Sequence, residues 1–597
     1  MTPFEVRLRT ARGREWRTFR DPVGVVRAVR ADEVAQCLAE ADRAVRRDGC
    51  YAAGFVGYEA AAAFGLPTGT PISDGLPLAC FGLFHPDSVT SERALPAGGG
   101  YHTGPWRASI DRAAYAEAIG RIKARIESGD TYQINFTFRL TAPFAGDPIA
   151  LLRDLDLAQD GPWGAYIDDG RFAICSASPE LFFRIDGDRI ECRPMKGTAP
   201  RGLWAEADRQ QAARLVTSEK QQAENVMVVD MVRNDLGRVA NIGTVHVAAL
   251  FVAEQYPLQW QMTSRVDART SKGSLLHLFE ALFPSGSVTG APKHSSMGII
   301  GELETAPRGI YTGAIGYMSP RGRGHFNVAI RTIAIDRRTG EAEFGVGSGV
   351  VWDSVERDEY DECLLKASIL LTRPPGSYAA GPHPDFQLLE TIGWAPEAGF
   401  VLLERHLSRL QESAACFGFS CDVAEVRTVL EAAVADLAGP ARLRVLLSRD
   451  GAIVCEGADL SKPAGRPLRA ALAADPIDPA SVFLYHKTTV RDIYERARAS
   501  RPDAEAVLLW NASGEVTEAT EANVVVEISG EKVTPPIECG LLGGTLRAEL
   551  LASGAIREQR VHIDDLARAT GVWLINSVRG WMPATLMGGP AGRSPPV

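Results

Sequence analysis

Lys196 lies in Cys192-Arg-Pro-Met-Lys-Gly-Thr198, a turn bracketed by proline and glycine, sixteen positions after the glutamate of Ser176-Ala-Ser-Pro-Glu180. Buried together at such a bend, an amine and a carboxyl could serve as nucleophile and general acid. The same wording also suits an ordinary turn with a solvated lysine. A second set lies on Asp358-Glu-Tyr-Asp-Glu-Cys-Leu-Leu-Lys366. Glu359 and Glu362 are three apart and Lys366 follows four later, so on a helix all three share a face. That face is either solvated or suited to a hard divalent cation that keeps several waters.

These groups need elements to hold them. At 597 residues and 45% hydrophobic content, the chain exceeds one ordinary domain and can fill large cores. The run Arg373-Pro-Pro-Gly-Ser-Tyr-Ala-Ala-Gly-Pro-His-Pro384 stops helices and ladders alike. It divides the chain into residues 1–373, a linker 374–384 and residues 385–597. Before it, Phe172-Ala-Ile-Cys175 and Leu181-Phe-Phe-Arg-Ile185 read as strands and Ala212 to Val232 as one long helix. This predicts a large α+β unit of layered antiparallel sheets. After it, Arg442 to Ser448 and Asn523 to Glu527 read as strands beside a helical Leu407 to Phe417, predicting a smaller α/β or α+β unit. The alanine-rich run at 52–66 contains Glu59 and is too short to span a bilayer, so it reads as buried strand and turn.

A net charge of −10 and a pI near 5.6, without a sustained Lys/Arg block, argue against a nucleic-acid or anionic-membrane partner. An anionic substrate must then meet locally placed arginines. Ten cysteines without a C-x-x-C pair indicate neither a disulfide scaffold nor a zinc site. The start Met1-Thr-Pro-Phe-Glu-Val-Arg7 lacks the order of a signal peptide, so a cytoplasmic location is expected. Gly345-Val-Gly-Ser-Gly349 lacks the G-x-G-x-x-G of a dinucleotide site, and in Gly286-Ser-Val-Thr-Gly-Ala-Pro-Lys293 Pro292 displaces the G-K-[ST] ending of a phosphate loop.

Around Lys196 stand Gly129-Asp-Thr-Tyr-Gln-Ile-Asn135, Asp230-Met-Val-Arg-Asn-Asp-Leu-Gly-Arg238, Thr289-Gly-Ala-Pro-Lys293, Gly313-Ala-Ile-Gly-Tyr317 and Ala329-Ile-Arg-Thr332. In this order they resemble the chorismate-utilising enzymes over about residues 50–370. Anthranilate-forming members usually carry alanine where this chain has Lys196, whereas aminodeoxychorismate-forming members carry lysine. The resemblance implies that Lys196 attacks C2 of chorismate, Glu180 protonates the departing C4 hydroxyl, and ammonia then adds at C4. It implies Mg²⁺ on Glu224 and Glu362 with Glu359 assisting through water. Arg331 would take a substrate carboxylate beside Tyr311, and Gly347, Lys366 and Thr289 would complete the substrate pocket. The run Gly345 to Gly349 would offer backbone N–H groups. Two positions depart from the family: Gln221 replaces an acidic residue, and Gln261-Met-Thr-Ser264 lacks the usual histidine. No G-x-C-x-G elbow with a following His/Glu pair is present, so ammonia would come from a separate glutamine amidotransferase subunit or from free ammonia.

Leu403-Glu-Arg-His-Leu-Ser-Arg-Leu410, Tyr485-His-Lys-Thr-Thr-Val-Arg491, Val516-Thr-Glu-Ala-Thr-Glu-Ala-Asn523 and Gly543-Gly-Thr-Leu-Arg547 follow in sequence. Together they resemble the fold-type IV pyridoxal phosphate enzymes, which include branched-chain and D-amino-acid aminotransferases and aminodeoxychorismate lyases. Lys487 would then bond the cofactor covalently and Glu518 would hold its pyridine nitrogen protonated. Arg409 and the backbone N–H groups of Thr545 and Leu546 would bind its phosphate, Thr391 would face the substrate, and a homodimer through this unit is expected. The joint reading is 4-aminobenzoate formation from chorismate. The alternative is an anthranilate or isochorismate-type synthase joined to an aminotransferase.

Overall fold

The strand Gln133–Gly146 shows why the first unit is layered: its first eight residues are buried without alternation, which requires cover on both faces. The computed structural model describes residues 4–10, 15–69, 75–96, 99–257, 259–271, 273–371, 386–460 and 466–587, and the expected linker 374–384 lies outside the described residues. The chain divides into two compact units, residues 1–200 with 211–377, and residues 201–210 with 378–597.

Among the described residues, the first unit holds an 11-stranded and a 10-stranded sheet, both antiparallel. Val6, Leu8 and Phe19 of the larger sheet share a core with Phe55, Phe84 and Ile315 of the smaller. The Phe19 and Phe84 rings meet at 5.5 Å between centroids. Helices Ala31–Arg46 and Leu275–Leu282 bury their apolar stripes on the outer face of the smaller sheet. Helices Arg112–Glu127, Pro148–Gln159 and Glu356–Leu371 do so on the larger.

The chain passes between the sheets at two places that matter for chemistry. From Phe172–Ser178 of the larger sheet it enters Leu181–Asp186 of the smaller through Pro179 and Glu180. It returns from Arg323–Val328 to Thr332–Asp336 through Ala329, Ile330 and Arg331. The two crossings are joined, since the Val328 amide donates to the Glu180 carbonyl at 3.0 Å.

The single helix expected over Ala212 to Val232 is in fact two, Ala205–Thr217 and Glu219–Gly237. Ser218 is extended and its side chain accepts from the Gln221 amide, so a serine that reads as a helix interior residue instead starts a new helix. The run Gly345 to Gly349, expected to offer backbone N–H groups, lies inside the strand Glu341–Val350. That strand pairs with Gln133–Gly146 along its whole length, but with Thr332–Asp336 only as far as Phe344. From Gly345 onward the sheet forks, and a cavity opens in the fork.

In the second unit, an antiparallel four-stranded sheet includes Leu388–Ala395 and Ala441–Leu447. A mixed eight-stranded sheet places Leu468–Leu472 between two parallel neighbours. Helices Leu403–Phe417 and Val423–Val434 cover the smaller sheet around Leu407, Leu410, Leu443 and Val445. Among the described residues no helix is long and apolar enough to cross a membrane, and the ten cysteines are free thiols.

Candidate active sites

The cavity in the fork is lined by Glu180, Lys196, Glu224, Glu359, Glu362 and Lys366, together with Tyr311, Arg331 and Gly347. Residues from Glu180 to Lys366, 186 positions apart in sequence, thus meet in one place. Lys196 is aimed there by a break in register between Met195 and Thr198, where Gly197 has φ 103°. A bulge of this kind turns one side chain off the regular alternation, and the positive φ favours glycine. Glycines also supply the room. A Cβ at Gly349 would collide with the Lys196 Nζ, and one at Gly345 with the Tyr311 ring.

Glu180 is 3% exposed and accepts a hydrogen bond from Ser287 Oγ at 2.6 Å. Burial pushes its carboxyl up to about 7, against the opposing pull of Ser287 and Lys196. Burial lowers the Lys196 amine, with Glu224 opposing and Lys366 assisting. A carboxyl pushed toward its protonated form and an amine pushed toward its neutral form in one cavity are the two directions that acid-assisted nucleophilic attack needs. Replacing Ser287 with alanine removes a donor to the carboxylate form, so the Glu180 pKa should rise further. The alkaline limb of the rate profile for the first reaction is then expected to move up by about one pH unit; an unmoved limb would exclude Glu180 as the titrating acid.

Arg331 holds a left-handed backbone, φ 52°, a strained conformation for a residue with a side chain and one concentrated at functional sites. Its guanidinium donates to the Lys366 carbonyl, and burial brings its pKa down to about 10. Lys366 Nζ donates to the Gly347 carbonyl at 2.9 Å and pairs with Glu362 at 2.6 Å. Thr289 is not brought into the cavity: it is fully buried and its hydroxyl donates to the Ser285 carbonyl at 3.1 Å. Ser287, two residues earlier in the same run, faces the cavity instead. Lys220 also lines it, as do Gln221 and Gln261 at the two positions that depart from the family.

As they stand, no three metal-ligating side chains among the described residues are gathered closely enough to hold an ion. The donor set nevertheless fits a divalent cation. Glu224 is raised by burial and, further down, by the neighbouring charges of Glu359 and Glu362. Glu359 Oε1 accepts from Ser354 at 2.6 Å, while its Oε2 is buried with no hydrogen-bond partner. Mutually repelling carboxylates and an orphaned buried acceptor are what a hard cation relieves.

The second cavity is lined by Thr391, His406, Arg409, Lys487, Glu518 and Thr545. Lys487 is fixed through its backbone, because the Leu389 amide donates to its carbonyl at 2.9 Å and Thr488 bridges to Leu388. Burial, then Arg409, lowers its amine to about 8. Burial raises Glu518 to about 7; Tyr494 Oη and the Leu542 amide donate to it at 2.8 and 3.1 Å. The helix Thr545–Ala552 starts at Gly544 with no side-chain cap, which leaves its first-turn amides for a ligand. Arg409 donates to Glu390 through Nε and a terminal nitrogen, at 2.8 and 2.7 Å. Leu546 contributes no side chain to the cavity; its side chain packs beside Val525 and Ile575. A depressed lysine, a buried carboxyl and an uncapped helix start with an arginine fit pyridoxal phosphate.

Sequence reasoning missed Ser287, Lys220, Glu390 and His406, although Ser287 and His406 stood in runs already singled out. Tyr494 carried no signal, since only the fold brings the helix Asp492–Ala499 to Glu518.

A two-layer antiparallel fold with a buried lysine, a buried acid and several carboxylates around one cavity at a sheet fork is the arrangement of an enzyme. Residues 5–372 match the family model described as chorismate binding enzyme, and residues 387–587 match amino-transferase class IV. The chain belongs to the chorismate binding enzyme family. It is 40% identical over 286 residues to aminodeoxychorismate synthase component 1 of Salmonella typhimurium, covering 47% of this chain and 62% of that protein. It is 39% identical over 267 residues to anthranilate synthase component 1 of Thermus thermophilus, covering 45% and 57%. The chain thus spans less than two thirds of the length of these relatives. Anthranilate synthase component I of Streptococcus pneumoniae has the same fold, with a TM-score of 0.50 at 24% identity over 61% of this chain and 91% of that one. Mg²⁺ goes with the first family and pyridoxal phosphate with the second.

Proposed function

We propose that the chain makes 4-aminobenzoate from chorismate in two steps, one in each cavity. The observation that carries the first step is Lys196 lining the same cavity as a buried Glu180 whose carboxyl is pushed up to about 7. Lys196 Nζ forms a bond to C2 of chorismate, both conjugated ring double bonds shift by one position toward C4, and the C4–O bond breaks as Glu180 delivers its proton to the hydroxyl, which leaves as water. Ammonia then bonds to C4 and gives up a proton to Glu180, both double bonds shift back, and the C2 bond to Lys196 breaks to release the amine. Arg331 holds a substrate carboxylate, with Tyr311 alongside and Lys366 and Gly347 on the adjoining wall. Glu224 and Glu362 would hold Mg²⁺, with Glu359 helping through water; the ion neutralises a substrate carboxylate. Ammonia comes from a separate glutamine amidotransferase, a reading supported by the component 1 designation of the Salmonella relative.

The product, 4-amino-4-deoxychorismate, is the substrate of the second cavity. Bound pyridoxal phosphate supplies an electron sink there. Lys487 would hold it covalently and, once released, take the proton at C4; Glu518 would pair with its ring nitrogen, and Arg409 with the Thr545 and Leu546 amides would hold its phosphate. Thr391 lies on the substrate side. Loss of pyruvate from C3 makes the ring aromatic, and the second unit forms a homodimer.

The test is product analysis of the whole chain with chorismate, Mg²⁺, an ammonium salt and pyridoxal phosphate. Equal amounts of 4-aminobenzoate and pyruvate are expected. Anthranilate would overturn the first step, and accumulating 4-amino-4-deoxychorismate the second.

A further inference from the structure

Two of the runs that surround Lys196 in sequence, Asp230 to Arg238 and Thr289 to Lys293, supply no charged group to the first cavity. The fold brings Asp235 of the first run and Lys293 of the second together instead. Lys293 Nζ donates to Asp235 Oδ2 at 2.7 Å and to the Leu282 carbonyl at 3.1 Å, with the two side chains 13% and 11% exposed. Asp235 lies near the end of the helix Glu219–Gly237, whose other end carries Glu224 to the cavity. Leu282 closes the helix Leu275–Leu282, where the last carbonyls have no partner within the helix. Arg238 Nη1 takes the neighbouring carbonyl, that of Ala281, at 3.3 Å. Stability is weak ground for burying such a pair, because apolar residues of similar volume often serve as well.

The ammonium closes a loop. Lys293 reaches back to the residue at which the segment 283–292 begins, and that segment carries Ser285 and Ser287, both buried. Its far half is held from the larger sheet's side: Arg308 Nη1 donates to the Val288 carbonyl and the Asn135 amide to the Thr289 carbonyl, each at 2.7 Å. Its near half bonds within itself, the Val288 amide to the Ser285 carbonyl at 3.2 Å, and lies against the helix that bears Asp235. A Cβ at Gly286 would come within 3.1 Å of Met231 Cβ on that helix. Ser287 Oγ spends its hydrogen on Glu180 Oε1 at 2.6 Å, so the hydrogen between the two serine hydroxyls, 2.9 Å apart, comes from Ser285.

We propose that Lys293 is a positioning residue for the first reaction: paired with Asp235, it fixes the loop so that Ser285 and Ser287 together deliver one hydrogen bond to Glu180. Neither Lys293 nor Asp235 lines the cavity, so their influence on the acid passes through the serines. A hydrogen bond weakens steeply with misalignment, and a small displacement of the loop is enough to lose it. The other groups that face Glu180 are Lys196, the Met195 backbone and Tyr256, whose hydroxyl donates to the Pro179 carbonyl at 3.4 Å. Around the ion pair itself stand Arg238 and the Cys192 thiol. This inference rests on the reading of Glu180 as the acid of the first reaction.

The test is the pH profile of C4 amination by the full-length chain with chorismate, Mg²⁺ and an ammonium salt. The variant is Lys293→Met with Asp235→Asn, which strands no charge in the interior. Its alkaline limb should move up by about one pH unit, as in Ser287→Ala, because the acid loses the same donor. With Ser287→Ala added, the limb should move no further. A limb that stays in place while the rate falls equally at every pH makes the pair a structural tie and overturns the proposal. A shift that adds to that of Ser287→Ala overturns it too. If the double variant does not fold, Asp235→Asn alone frees the ammonium from the helix and should give part of the same shift, whereas an unmoved limb refutes the link. Failure of the underlying reading shows differently, as amination at the natural rate by Glu180→Gln.

Discussion

Replacing Lys196 with alanine is expected to slow amination of chorismate at C4 by on the order of 10³-fold, because it removes the group that makes C4 departure possible. The measurement is 4-amino-4-deoxychorismate formed from chorismate, Mg²⁺ and an ammonium salt, with the second reaction assayed on supplied intermediate. That second rate should stay intact, which separates loss of the nucleophile from loss of the fold. Arginine at 196 should not rescue, since its guanidinium stays charged. The lysine that must be neutral sits where burial lowers its pKa, and Glu180 must be protonated with a pKa near 7. The amination rate is therefore expected to fall as pH rises through about 7, where Glu180 loses its proton. A Lys196→Ala chain that aminates at the natural rate would end the covalent mechanism.

Lys487→Ala should cut pyruvate release by at least about 10³-fold, the scale on which loss of a nucleophile that acts as a unit with its neighbours is felt. The visible absorption of bound cofactor should vanish with it. Chorismate consumption should continue, so 4-amino-4-deoxychorismate builds up in place of 4-aminobenzoate. If pyruvate still appears at the original rate, the second cavity is not where the ring becomes aromatic.

The fold class was readable because strand runs such as Leu181 to Ile185 and the acidic helix face at Glu359 to Lys366 carry their pattern locally. Glu180, Lys196 and Lys487 each stand in a short local run, and the fold places each of those runs at a cavity. What sequence could not supply depended on long-range pairing. Ser218 looked like one more residue in a helical stretch, and only its side chain on the Gln221 amide marks a new start. The glycines at 345 and 349 read only as a source of N–H groups, whereas they lie in a strand where the missing side chains leave room for Tyr311 and Lys196. Thr289 drew attention over Ser287 because nothing local says which hydroxyl of a buried run will face Glu180. Glu390 gave no sign of facing Arg409, since strand and helix meet only through tertiary packing.

Glu180 and Arg331 occupy the two joined places where the backbone leaves one sheet for the other. Any displacement there drags on both layers of a shared hydrophobic core, so this part of the pocket has no give. The helices Glu219–Gly237 and Glu356–Leu371 bring Glu224, Glu359, Glu362 and Lys366 from outside the sheets. The cavity therefore has two kinds of wall: one tied into the backbone of both sheets, where a substitution disturbs the shared core, and a helical one whose exposed turns can change side chain by side chain without moving the sheets.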